Sequence, residues 1–82
     1  MTTSAQISVY PLRQEHLGPA IESVRSALEE RGLTPQVGPM STTVTGEIGI
    51  MFTALADAFA KAATNGQVVM TITISNACPV AS

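Results

Sequence analysis

The sequence predicts an α+β fold of βαββαβ type, a four-stranded antiparallel sheet with two helices on one face. Three observations carry this. Apolar and polar residues alternate with period two near both ends of the chain. Two internal stretches switch to helical spacing. Between them stands a hairpin signal, Gly38-Pro39, flanked by β-branched residues.

Each element has its own signature. In residues 6–11, Ile7 and Val9 alternate with Ser8 and Tyr10. This is a half-buried strand, and Pro11 closes it because proline cannot donate to the ladder. Leu17, Ile21, Val24 and Leu28 then fall at helical spacing, with Ala20 and Ala27 filling the stripe and Glu22, Arg25, Glu29 and Glu30 opposite. Gly18-Pro19 suits the helix start, since proline fits the first helical position, and Gly32 suits its stop. Residues 34–37 read as a short strand and residues 40–45 as its hairpin partner. The second helix is expected from about residue 47 to 64, with Ile48, Met51, Phe52, Leu55, Phe59 and Ala62 as one apolar stripe. Glu47 sits in its first turn, where negative charge is favoured. Residues 67–75 alternate throughout and make the last strand. Right-handed crossovers and short connections give the strand order 4-1-3-2.

With 82 residues there is room for one domain, residues 1–82, and one core. A chain this short buries only roughly 60% of its unfolded surface, so association with a second copy is the expected remedy. Charged residues make up 12% of the chain, against about 25% in a typical domain. That leaves little to solvate a whole surface and again points to a covered face. Four basic residues and a net charge of -2 argue against nucleic acid as partner. The start of the chain reads as neither signal peptide nor membrane anchor, and the apolar runs are too short for a membrane span. The cytoplasm is the expected location.

Strand alternation assigns side chains to two faces. The helix-covered face is expected to collect Ile7, Val9, Met40, Val44, Val68, Met70, Ile72 and Ile74, with Thr42 as its one polar member. The opposite face collects Ser8, Tyr10, Ser41, Thr43, Thr45, Val69, Thr71, Thr73 and Ser75, full of hydroxyls and without a charge. Two readings of that face stand. It is either an exposed sheet rich in threonine for its β propensity, or a face packed on a second copy. Thr42 also has two readings, a strand hydroxyl tied to a nearby carbonyl or a polar group lining a pocket between sheet and helices.

Groups for catalysis are missing. His16 and Cys78 are the only histidine and the only cysteine. They follow strands that end at opposite ends of the sheet, roughly 17 Å apart, whereas a catalytic dyad needs about 3 Å. A lone cysteine makes neither an intrachain disulfide nor a structural zinc site. No phosphate loop, histidine cluster or carboxylate pair points to an enzyme, a metal or a cofactor.

The segments Ser8-Val9-Tyr10-Pro11, Met40-Ser41-Thr42, Gly46, Phe52, Val69-Met70 and Cys78-Pro79 resemble, in order and spacing, the YkoF-like thiamine/hydroxymethylpyrimidine-binding family. The resemblance spans Ile7 to Pro79. It implies a ferredoxin-like domain that binds thiamine or its hydroxymethylpyrimidine moiety without changing it, in salvage or uptake of the vitamin. It implies a homodimer or homotetramer, with proteins of vitamin transport as candidate partners. By the same resemblance ligand contacts fall on Val9 and Thr42, and Tyr10, Met40 and Phe52 join them. An antiparallel register pairing Ile7 with Val44 would set Val9 opposite Thr42. The sequence departs from many relatives just before Gly46, where Thr45 replaces an acidic residue and Glu47 follows instead. The other function class open to such a chain is a ferredoxin-like module that works by assembly, without a small-molecule pocket.

Overall fold

The computed structural model describes residues 1–13 and 16–77. Its elements are β1 (Thr2–Pro11), α1 (Gly18–Glu30), β2 (Gln36–Val37), β3 (Thr42–Glu47), α2 (Ile48–Ala62), a 3-10 turn (Ala63–Asn65) and β4 (Val68–Ser75). The strands form one antiparallel sheet in the order β2-β3-β1-β4, the expected order seen from the other edge. Cys78, and the expectation attached to it, lies outside the described residues.

Local chemistry explains the helix ends. Pro19 stands in the first turn of α1. Gly32 adopts a φ of 82° just past its end, where the amides of Gly32 and Leu33 bond back to the carbonyls of Glu29 and Leu28 at 2.9 and 3.1 Å. At α2, Glu47 is the N-cap, and its carboxylate accepts from the amides of Gly49 at 2.8 Å and Ile50 at 3.3 Å. The Ile48 amide donates to the Met1 carbonyl at 3.0 Å, and β1 begins at Thr2, four residues before the expected start at residue 6. Thr3, also unexpected, is buried and donates its hydroxyl to the Gly46 carbonyl at 2.9 Å.

The core lies between the sheet and both helices. Ala5, Ile7, Val9 and Val44 face Ala20, Val24, Ala27 and Leu28 of α1 and Met51, Ala54, Leu55, Ala58 and Ala62 of α2. The buried stripe of α2 differs from the expected one. Ile48, Phe52 and Phe59 are 37%, 53% and 46% exposed. The physical reason is helix contact: alanine at 54, 58 and 62 lets α1 and α2 approach closely, so the small residues turn inward and the rings turn out. Exposed pairs, Arg31 to Asp57 at 2.7 Å and Lys61 to Glu30 at 3.2 Å, span the two helices at the surface.

Three further expectations are corrected. Ile7 pairs with Thr42 and Ala5 with Val44, two residues from the expected register, so Val9 does not stand opposite Thr42. Met40 is 81% exposed and does not belong to the helix-covered face. It occupies the hairpin turn with Pro39, closed by the Gly38 amide on the Ser41 carbonyl at 2.9 Å, and β3 starts only at Thr42. β2 is shorter than expected, two residues rather than four.

Leu28 is fully buried in this thin core. Leu28→Ala should lower the unfolding free energy by about 2–5 kcal/mol, a large part of what a small domain holds. Urea titration followed by circular dichroism measures it, and a loss below about 1 kcal/mol would contradict the placement of Leu28.

Candidate functional site

Val9 and Thr42 are both buried on the helix-covered face, at 7% and 5% exposure. Since Thr42 pairs with Ile7, Val9 is its diagonal neighbour, roughly 7–8 Å away. Val9 pairs on its other side with Met70, which is half-buried. The wall is therefore Ile7, Val9, Met70 and the hydroxyl of Thr42. Right-handed connections bring the start of α1 and the end of α2 over it.

Thr42 is the second buried polar residue beside Thr3. The Thr3 hydroxyl is used by the Gly46 carbonyl. The Thr42 hydroxyl joins no side-chain hydrogen bond among the described residues, yet no fully buried side-chain polar atom lacks a partner there. Among the described residues its oxygen is thus not sealed off, while the residue as a whole is 5% exposed.

The sequence-predicted contacts divide by position. Val9, Thr42, Tyr10 and Met40 gather at one end of the sheet, where β1 ends and β3 begins. The same register that pairs Ile7 with Thr42 carries Val9 toward Met40, and the Ser8 hydroxyl donates to the Met40 carbonyl at 3.3 Å. Tyr10, however, points to the opposite face, paired with Val69 and 49% exposed. Phe52 sits one turn into α2, which begins at the far end of β3, so it is not brought to this cluster.

Two clefts lie elsewhere. One, of about 850 Å³, runs across the sheet face away from the helices. It is lined by Ser4, Gln6, Gln36, Thr43, Thr45 and Thr73 among others, with Leu33 and Thr34 as a lip. Sequence reasoning named the hydroxyls of this face but not the cleft, because the lip comes from the loop after α1. Hydroxyls and amides bond to each other here: Gln6 donates to Ser41 at 3.1 Å, and Ser4 meets Thr45 at 3.4 Å. The other cleft, of about 550 Å³, lies beside Arg31, Glu47, Gly49, Ile50 and Thr53. Neither is lined by Val9 or Thr42. The wall is the stronger candidate: a hydroxyl without a side-chain hydrogen bond among the described residues, in an apolar setting, is a specific recognition element.

Glu22 is held below the usual carboxylate range, chiefly by hydrogen bonds from the Arg25 guanidinium at 2.8 and 2.9 Å, but it lies on the exposed face of α1. Among the described residues no three metal-ligating side chains cluster, and no helix is long and apolar enough to cross a membrane.

Comparison with known proteins places this geometry. The chain matches the family described as thiamine-binding protein over residues 5–77. No curated protein matches it significantly. Among solved structures, a Streptococcus pneumoniae protein is 26% identical with a TM-score of 0.82, over 92% of this chain and 86% of its own. A hypothetical protein of Methanocaldococcus jannascii superposes with a TM-score of 0.84 at 16% identity, over 98% of this chain and 84% of its own. A Thermotoga maritima protein described as a candidate thiamine biosynthesis/salvage protein gives 0.78 at 21% identity, over 90% of this chain and 82% of its own. The match over residues 5–77, on a ferredoxin-like α+β fold shared with these structures, makes this chain a member of the thiamine-binding protein family.

Proposed function

We propose that the protein binds thiamine, or the hydroxymethylpyrimidine part of it, reversibly and releases it unchanged, in salvage or uptake of the vitamin in the cytoplasm. The observation that carries this is the Thr42 hydroxyl, without a side-chain hydrogen bond among the described residues, in an apolar wall of a thiamine-binding family member. An aromatic pyrimidine gains by apolar burial against Val9, while its amino group and ring nitrogens need a few polar partners. Thr42 is one of them, and the hairpin tip with Met40 forms the mouth. Tyr10 and Phe52 are contacts only if chain or partner movements bring them in. The reading needs no cofactor, metal or catalytic group, and proteins of vitamin transport would deliver or receive the ligand.

A second reading of the site is favoured by size. The cleft of about 850 Å³ on the outer face falls within the roughly 300–1,000 Å³ of small-molecule pockets. Its uncharged hydroxyls and amides offer both donors and acceptors to the same pyrimidine.

The outer face also supports assembly. Outward positions of β1 and β4 carry Ser4, Gln6, Ser8, Tyr10, Val69, Thr71, Thr73 and Ser75, and Thr43 and Thr45 stand beside them on β3. None is charged. A second copy packed face to face would bury Tyr10 and Val69 and pair the hydroxyls.

Three outcomes are expected. Ligand that binds only the folded state raises the melting temperature, so thiamine or hydroxymethylpyrimidine should do so, and calorimetry followed by mass spectrometry should recover it intact. No shift with either leaves the assembly module as the function, and an altered ligand makes the protein an enzyme. Thr42→Val should leave stability nearly unchanged, since it removes an unpartnered hydroxyl, yet weaken the ligand by about 0.5–1.5 kcal/mol. If its affinity is unchanged while Gln36→Ala or Thr73→Val weakens binding, the ligand lies in the outer cleft. Thr43→Lys should halve the mass of the assembly in light scattering, because a lone charge buried between two sheets is costly. Unchanged mass would show that this face is free.

A further inference from the structure

Three of the four cationic side chains are committed to carboxylates. Arg25 pairs with Glu22 and Glu29, Arg31 with Asp57, and Lys61 with Glu30, all at the helix surface. The fourth, Arg13, stands apart. It is exposed, two residues past the end of β1, and among the described residues it meets no carboxylate. Glu15, in the same loop, lies outside the described residues.

The backbone fixes where this charge stands. The Leu12 amide donates to the Gln67 carbonyl at 2.9 Å, which ties the chain down one residue beyond the strand. Arg13 then turns with a φ of 62°, a left-handed conformation that few side chains adopt. Among the described residues no other non-glycine does so. The turn begins the reversal from β1 into α1. It lies at the end of the sheet where β1 ends and β3 begins, the end that holds Val9, Thr42 and Met40.

The start of α1 adds to the same positive potential. Its N-cap, Leu17, makes no side-chain cap, and its first turn carries no acidic residue. The start of α2 is neutralised by the Glu47 carboxylate, and that of α1 has no such group among the described residues. The amides of Ala20 and Ile21 bond back to the Leu17 carbonyl at 3.2 Å, so direct recognition falls to Arg13 rather than to the helix. The right-handed crossover from β1 to β2 passes over β3, which sets this first turn above the start of β3. There Thr42 is 5% exposed and its hydroxyl joins no side-chain hydrogen bond among the described residues.

The wall itself sets the other requirement. Ile7, Val9, Met70 and Thr42 include no carboxylate. Thiamine carries a permanent cation in its thiazolium ring, and covering a cation beside uncharged groups is costly. A phosphate on the hydroxyethyl arm of that ring brings the opposite charge within the ligand. The spacing suits it. Val9 and Arg13 are four residues apart, a span of at most about 14 Å, part of which the arginine side chain covers. The thiazolium ring and its arm separate the pyrimidine from that phosphate. In hydroxymethylpyrimidine phosphate a single carbon does, which would keep the anion close to the wall.

We propose that Arg13 is a specificity residue that selects thiamine phosphorylated on its hydroxyethyl arm. The guanidinium holds the phosphate at the mouth while the pyrimidine lies on the wall of Val9 and Thr42. This rests on the function proposed above and names the form of its ligand. Arginine suits the role, because its planar fork meets two phosphate oxygens at once. Its exposure makes the gain sensitive to salt.

The test is calorimetry on the wild type, Arg13→Asn and Arg13→Lys. The ligands are thiamine, thiamine monophosphate, hydroxymethylpyrimidine and its phosphate. Asparagine tolerates the left-handed turn and removes the charge, and lysine keeps the charge without the fork. The wild type should hold thiamine monophosphate roughly ten-fold tighter than thiamine, the order of one charge-assisted hydrogen bond. That ratio should shrink as salt rises from about 0.01 M to about 1 M. It should fall to about one in Arg13→Asn and survive in part in Arg13→Lys. Equal affinities in the wild type overturn the proposal and leave the proposed function standing. A ratio that persists in Arg13→Asn also overturns it, as does an equal gain from the phosphate of hydroxymethylpyrimidine. Displacement of thiamine monophosphate by an equal concentration of inorganic phosphate would reveal a site for the free anion and overturn it too. If none of the four ligands binds the wild type, the proposed function falls and this inference with it. If Arg13→Asn fails to fold, the wild-type ratio and its salt dependence decide.

Discussion

The close approach of α1 and α2 governs this molecule. Alanines at 20, 27, 54, 58 and 62 are all buried, and the helices add Val24, Leu28, Met51 and Leu55, with Ile21 partly buried beside them. Small residues bring the backbones together and leave an interior one aliphatic layer thick. Rings cannot fit there without pushing the helices apart, so the phenylalanines sit outside. The inner sheet face is then matched by small and branched side chains, Ala5, Ile7, Val9 and Val44, and one hydroxyl at Thr42 stands out against them. A thin core, outward rings and a single polar mark on the wall are thus one fact seen from three sides.

Much of the fold was legible because alternation and helical spacing are direct records of which side of an element is covered. β4 shows this best: Val68, Met70 and Ile74 pack on the core as their alternation implies. The register of β1 on β3 was not legible. Sliding one strand past another by two residues keeps every side chain on its face, so a pattern of period two cannot tell Ile7 opposite Val44 from Ile7 opposite Thr42. Met40 was misplaced because the alternation of residues 40–45 begins inside the turn that follows Pro39, two residues before β3 itself. On α2, hydrophobicity alone favoured the phenylalanines for the core. Alanine gives a weak hydrophobic signal, and only the partner helix shows why it belongs inside.

The candidate site divides in the same way. Thr42 was readable as a lone hydroxyl on an apolar face, and Val9 as its neighbour on that face, because both follow from alternation. Phe52 depended on which way α2 is turned, and Met40 on where β3 begins, and neither is recorded in the spacing of residues along the chain. The cleft of the outer face had no sequence signal, since its lip is a loop and its floor is four strands brought together by topology.

The N-terminus of α2 bears on how this end of the domain meets an anion. Helix starts commonly hold phosphate through free amides and their positive dipole. Here the Ile48 amide is taken by the Met1 carbonyl, and those of Gly49 and Ile50 by the Glu47 carboxylate. A phosphate arriving at this end would meet no open donor and a fixed negative charge, on a chain whose net charge is already -2. The amides at the start of α2 thus serve the domain's own stability, and this end of the sheet, away from Val9 and Thr42, offers an anion no free donor.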